Sequence, residues 1–212
     1  MEETDYPFDE TVVFTIQTAR AVTFPLSLRI PGWAQGAVLV LPDGETQSLA
    51  CQSFYTLTRE WRPGDRLELV LPMEIEAERR YQGSVAIIRG PLVYSLKIGE
   101  SWKHIGGVQP HADWEVYPTT LWNHGLVVDT DNPSRSMKIT KKPVGQMPFS
   151  PEGAPIELKV VGRLIPEWKL EGNWAGTIPQ SPTRSKERLE RLTLIPYGCT
   201  NLRVTEFPLL TE

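Results

Sequence analysis

Cysteine is nearly absent from this sequence: Cys51 and Cys199 are the only two in 212 residues. Two cysteines so far apart form neither a disulfide framework nor a zinc-ligand cluster, and both read as small buried hydrophobes rather than reactive thiols. Histidine is scarce too, with His104, His111 and His124 confined to one stretch. Charge of one sign is also lacking. The 22 basic and 26 acidic residues are well mixed and give a net charge of −4, so no basic stripe exists to neutralise phosphates, which excludes nucleic acid as a partner. No apolar run approaches the ~18 residues of a membrane span, which argues against a membrane partner. Met1 to Pro7 carry neither the basic nor the apolar segment of a signal peptide. In a piece of a longer protein that would say nothing about compartment, so localisation stays open. Catalytic signatures are missing as well: there is no G-x-S-x-G, P-loop, H-E-x-x-H or C-x-x-C. Nor is there a repeat of fixed period or a low-complexity tract.

What the sequence does have is proline, glycine and alternation. Its 19 prolines and 16 glycines, with few helical patterns, favour strands joined by turns. Val12, Phe14 and Ile16 alternate with Val13, Thr15 and Gln17. Phe24, Leu26, Leu28 and Ile30 alternate with Pro25, Ser27 and Arg29, again the period of a strand. Pro25 places that strand at an edge, or marks its first residues. Pro42-Asp43-Gly44 predicts a hairpin turn between residues 37–41 and 47–58, and Arg62-Pro63-Gly64-Asp65 predicts a second turn of the same kind. Residues 73–80 suit a helix by composition. Met73, Ile75 and Ala77 nevertheless alternate with three glutamates, which predicts a half-exposed strand.

The centre of the chain is SVAIIRGPLVYSL, residues 84–96. Its two apolar runs read as strands buried on both faces, and Arg89-Gly90-Pro91 between them as a sharp bend or a crossing between sheets. Residues 98–155 are loop-rich, with short strands expected near 114–117, 125–128 and 137–140. Alternation resumes through Ile156, Leu158 and Val160. Residues 185–190 read as one helical turn, and 192–196 and 201–207 as the last strands. About a dozen short strands with regularly spaced turns predict an all-β fold with little helix. The arrangement expected is two jelly-roll-like β-sandwich domains, residues 1–97 and a loop-rich 98–212.

Few residues converge on chemistry. The three histidines with Asp113 match no metal-ligand spacing, and Asp129-Thr130-Asp131-Asn132 opens like a calcium loop but lacks its glycine and closing glutamate. Neither a metal nor a cofactor is therefore expected. Asp113 and Glu115 share one face of a strand, whereas a glycosidase pair flanks a sugar from opposite sides. No catalytic residue is assigned. The tryptophans are the stronger signal. Trp102, Trp114 and Trp122 lie near His104, Asp113, Glu115 and His124, and aromatic faces beside short polar groups suit sugar rings. The simpler role for the same tryptophans is to fill a core short of aliphatics or to cover a neighbouring domain.

Several stretches carry a family resemblance: LRIPGWA (28–34), Arg59-x-Trp61-x-x-Gly64-Asp65, VLPM (70–73), VAIIRGPLVYSL (85–96), DWEVYPTTLWNHGL (113–126) and LIPYGCTNLRVTEFP (194–208). Together they resemble the C-terminal β-sandwich region of β-L-arabinofuranosidase-like proteins, glycoside hydrolase family 127 and its relatives, long labelled a domain of unknown function. TDYPFD (4–9) resembles the segment where that family's chain leaves its catalytic domain. The resemblance implies bacterial proteins whose N-terminal (α/α)₆ barrel carries a glutamate acid/base, a cysteine nucleophile and a cysteine-rich zinc site. None of these maps onto this sequence, and neither Cys51 nor Cys199 takes the nucleophile's place. His124 and Lys97 stand where the family favours an aromatic and an acidic residue. The chain is thus expected to be a non-catalytic accessory module that braces the barrel as its partner. The alternative is a carbohydrate-binding module whose residues 102–124 take a glycan.

Overall fold

The computed structural model describes residues 1–211. The chain is all-β, and its only helical elements among the described residues are three-residue 3₁₀ turns. It divides into two compact units, Met1–Glu74 and a second that begins at Ile75.

The first unit contains β1 (Glu2–Thr4), β2 (Thr11–Thr15), β3 (Val22–Ile30), β4 (Val38–Val40), β5 (Thr46–Ser48), β6 (Ser53–Trp61) and β7 (Arg66–Val70). Five strands form an antiparallel sheet in the order β1-β2-β7-β4-β5, and β3 and β6 pair with each other along their whole length. In β3 the residues that alternate inward are Phe24, Leu26, Leu28 and Ile30, while Pro25, Ser27 and Arg29 face solvent. Leu28, Ile30 and Trp61 meet Val12, Leu39, Leu67 and Leu69 of the other sheet in one core. Trp61 is fully buried and donates its indole N–H to the Phe24 carbonyl at 2.9 Å, so its one polar atom is satisfied. Pro42-Asp43-Gly44 does turn a hairpin, between β4 and β5. Residues 47–58 are not one strand, because Gln52 turns the chain at φ 54 and β6 starts beyond it. The Arg62–Asp65 turn makes no hairpin: β6 pairs with β3 and β7 with β2 and β4, so the turn carries the chain from one sheet to the other.

The second unit contains β8 (Ile75–Arg79), β9 (Val85–Arg89), β10 (Leu92–Leu96), β11 (Glu100–Gly106), β12 (Asp113–Pro118), β13 (His124–Leu126) and β14 (Met137–Lys141). It continues with β15 (Ile156–Leu164), β16 (Leu170–Glu171), β17 (Trp174–Ala175), β18 (Glu190–Pro196) and β19 (Glu206–Phe207). Eight of these form one antiparallel sheet, ordered β13-β15-β18-β10-β9-β19, with β14 beside β15 and β8 beside β9. Two hairpins, β11-β12 and β16-β17, stand apart from it. Residues 75–79 are a strand, with Ile75 buried and Glu76 and Glu78 in solvent, as the alternation requires.

The two apolar runs of residues 84–96 lie in the middle of the large sheet. Gly90, at φ 56, lets them turn directly onto each other with Leu92 opposite Arg89. The break is therefore a tight hairpin within one sheet, not a crossing between two. Because β10 pairs with β18 through Tyr94, Ser95 and Leu96, these strands belong to the second unit. The compact units part between Glu74 and Ile75. Residues 185–190 are not helical: the Ser185 hydroxyl donates to the Leu164 carbonyl at 2.6 Å and accepts the Glu187 amide, a side-chain turn that replaces the first helical bond. Of residues 201–207 only Glu206 and Phe207 form a strand, because the Asn201 and Leu202 amides turn instead to the Glu100 carboxylate.

Candidate functional site

The β11-β12 hairpin gathers five of the seven residues singled out in the sequence. Register sets its two faces, since residues directly opposite share a side. His104 lies opposite Trp114 and Trp102 opposite Val116, so Trp102, His104 and Trp114 form one face. Trp102 and Trp114 meet edge-on with centroids 6.3 Å apart, as do His104 and Trp114 at 5.3 Å. Trp102 is 50% exposed and Trp114 44%. The Trp102 indole N–H donates to Glu100 at 3.2 Å, and the same carboxylate accepts the Asn201 side-chain amide at 2.9 Å. Lys103 and Glu115 lie opposite each other on the other face, beside Tyr117. Glu115 Oε2 accepts the Tyr117 hydroxyl at 2.6 Å and Lys103 Nζ at 3.4 Å. That hydroxyl, more than the lysine, holds the Glu115 carboxyl below the usual carboxylate range, and the carboxylate in turn pushes the Tyr117 phenol up. Asp113 sits past a bulge, opposite Gly106, in solvent.

Trp122 and His124 lie off the hairpin. Trp122 packs edge-on against Trp168, with centroids 5.1 Å apart, at a small apolar cluster that includes Ile165 and Leu210. His124 is in β13, only 3% exposed, with Nε2 3.6 Å from Glu190. Burial pushes its imidazole pKa down, and Glu190 opposes the shift. A ring so enclosed contributes to the sheet rather than to a surface, which separates it from the other six.

The sequence reading passed over Trp168 and Trp174. Trp168 is buried and donates its indole N–H to the Gly176 carbonyl at 2.9 Å, tying down the base of the β16-β17 hairpin. At that hairpin's tip Gly172, at φ 65, and Asn173 turn the chain, and the adjoining Trp174 is 79% exposed. A Gly-Asn pair between short apolar segments is a two-residue hairpin signal, and it would have placed Trp174 at a tip. Trp174, Trp122, Tyr117, Glu115, Asn173 and Arg203 line a groove of 520 Å³.

Other reactive groups are engaged elsewhere. Burial pushes the Cys199 thiol up to about 11, and its S–H points to the Pro148 carbonyl at 3.3 Å. Cys51 accepts from the Gln35 side chain at 2.9 Å. Among the described residues, no three His, Cys, Asp or Glu side chains stand close enough to hold a metal ion.

Residues 1–73 match the family model of the β-L-arabinofuranosidase GH127 middle domain, a match that ends within a residue of the first compact unit. A non-reducing end β-L-arabinofuranosidase of Bifidobacterium longum subsp. longum is 29% identical over 120 residues, which are 49% of this chain and 18% of that protein. The structure of a GH127 β-L-arabinofuranosidase from Geobacillus stearothermophilus superposes with a TM-score of 0.57 at 26% identity, covering 100% of this chain and 30% of that one. Two further structures, a glycoside hydrolase (TM-score 0.59, 23% identity) and a GH127 β-arabinofuranosidase (TM-score 0.62, 20% identity), share the fold. They are covered over 32% and 31% of their lengths by 99% and 98% of this chain. The chain thus spans about a third of the length of the solved structures it matches, and it resembles the β-rich region of GH127 β-L-arabinofuranosidases, with its first 73 residues matching their middle domain.

Proposed function

We propose that this chain is a non-catalytic accessory module of a glycoside hydrolase, serving to brace a helical-barrel catalytic domain. The observation that carries this reading is the pattern of coverage: nearly the whole chain superposes on about a third of each matched structure, two of them GH127 enzymes. The chemistry agrees with it. Most glycoside hydrolases set two carboxyl groups across a sugar, roughly 5–9.5 Å apart, and the family resemblance implies instead a glutamate with a cysteine nucleophile, a place that neither Cys51 nor the buried Cys199 takes. Here Asp113 and Glu115 lie two residues apart on one strand, and Glu157 is engaged by three lysines. The test is hydrolysis of an aryl β-L-arabinofuranoside by this chain alone and by a protein in which a GH127 barrel precedes it. Turnover is expected only with the barrel present; turnover by this chain alone would overturn the reading.

A second reading, a carbohydrate-binding module built on residues 102–124, is favoured by the exposed aromatic residues of that segment, Trp102 and Trp114 on one face of the hairpin and Tyr117 on the other. Aromatic rings left in water next to hydrogen-bonding groups are the usual material of sugar platforms.

A further inference from the structure

We propose that the groove beside Tyr117, Trp122 and Trp174 is a subsite for a neutral glycan, and that the opposite, Trp102-bearing face of the β11-β12 hairpin is not. The inference rests on the carbohydrate-binding reading and places its site.

The two faces differ in which segments supply their aromatic residues. On the Trp102 face the aromatic rings meet at 74° and 65°, each edge directed at its neighbour's face. Those rings all belong to one hairpin and are engaged with one another. In the groove, three aromatic residues come from three separate segments: Tyr117 from β12, Trp122 from the connection that follows, and Trp174 from the tip of β16-β17. Trp122 is fixed by its edge-on contact with Trp168. Trp168 also anchors the Trp174 hairpin through Gly176, and Asn123 donates to the Ile165 and Trp168 carbonyls at 2.9 Å each. The lining is therefore held before any ligand arrives, which lowers the entropic cost of binding.

Polar groups of both kinds reach the same groove. Glu115 takes both of its hydrogen bonds on Oε2, and Oε1 shares in neither. Arg203 lies over the Tyr197 ring at 4.3 Å and donates its Nε–H to the Thr200 carbonyl at 3.1 Å, so its planar fork is oriented. Asn173 adds an amide. A sugar ring asks for this combination, with acceptor and donor for its hydroxyls and an aromatic face for its C–H groups. One carboxylate and one guanidinium cancel, so the groove has no surplus positive charge with which to select a uronate or a phosphate. Its 520 Å³ falls within the roughly 300–1,000 Å³ of ligand pockets.

The test is affinity electrophoresis of this chain through gels holding linear arabinan, arabinoxylan or galactomannan, followed by titration of the polysaccharide that retards it. Trp174→Ala removes an exposed ring at a hairpin tip and leaves the core alone. Tyr117→Phe keeps the ring and releases Glu115, which covers the case that the first variant disturbs its hairpin. Trp102→Ala is the control on the other face. The expected result is retardation of the parent chain, about tenfold weaker binding for Trp174→Ala, a smaller loss for Tyr117→Phe and no change for Trp102→Ala. Unchanged affinity in both groove variants would overturn the proposal. Loss of binding in Trp102→Ala alone would move the site to the other face and leave the carbohydrate-binding reading standing. No retardation by any of the three polysaccharides would end both readings, without touching the bracing role that the hydrolysis assay tests.

Discussion

Glu157 shows how far one side chain's surroundings can set its chemistry. It lies in β15, only 6% exposed, and its carboxylate takes Lys159 at 2.7 Å, Lys142 at 2.9 Å and Lys97 at 3.6 Å. Burial alone would push its pKa up, but the ammonium hydrogen bonds and charges of Lys159 and Lys142 outweigh burial and bring it down to about 2. A carboxyl whose folded pKa lies below its ordinary 4.5 contributes stability that is complete above pH 4.5 and fades as pH falls toward 2. The span corresponds to on the order of 2–3 kcal/mol once the partial exposure of the lysines is allowed for. Urea unfolding at pH 6 and pH 3 should therefore show a marked loss for the parent chain and a smaller one for Glu157→Gln. The variant should already be weaker at pH 6, because three ammonium groups then face each other without their counter-charge. Equal pH slopes in the two proteins would show that the cluster adds nothing to stability.

At the scale of strands and hairpins, close backbone approach decides where side chains are tolerated. Gly162 of β15 lies opposite Leu126 of β13. A Cβ there would strike the Gly125 carbonyl oxygen, and it would stand 2.6 Å from the Leu192 side chain of β18. The carbonyl belongs to the sheet and cannot swing aside, so Gly162→Ala should cost roughly 1–3 kcal/mol, read as a lowered thermal midpoint. Gly44→Ala, in the β4-β5 turn, adds a methyl to open space and costs only the backbone strain of an alanine at φ 84, on the order of 1 kcal/mol. Gly162→Ala should be the worse of the two; the reverse order would mean that β13 and β15 can separate cheaply.

Elements of this size were also the most legible in the sequence. The β3 alternation, the Pro42-Asp43-Gly44 hairpin and the half-exposed strand at Ile75 follow from period two and from turn chemistry alone. Sheet membership did not follow, because a turn such as Arg62–Asp65 looks the same whether it joins neighbouring strands or crosses between sheets. Strand β11 was missed because its residues, ESWKHIG, are partly or wholly exposed and bury no apolar face that alternation could reveal. The candidate site was half legible: Trp102, His104 and Trp114 do come together on the hairpin, but His124, in the same sequence neighbourhood, is carried into the large sheet. Arg203 and Trp174 could not have been joined to Tyr117 by spacing, since three distant segments supply them.

For the whole molecule, the question is which pieces can fold without the rest. The first unit has its own core: Trp61, Ile30, Leu39 and Leu67 are almost wholly enclosed by other residues of Met1–Glu74. At 74 residues it lies near the lower limit for a domain without disulfides or metal, yet folding buries roughly 60% of the surface of a chain that size. A fragment of residues 1–74 should therefore unfold cooperatively, with Trp61 fluorescence shielded from water. Extending it to residue 97 adds β8, β9 and β10 without β18 and β19, which pair with β10 and β9 in the full chain. Those strands would then present unpaired backbone and the apolar side chains of residues 85–96, a recipe for aggregation rather than stability. The 1–97 fragment should be less soluble than 1–74 and gain no thermal stability over it. A well-behaved, more stable 1–97 beside an unfolded 1–74 would show instead that the central hairpin completes the first fold.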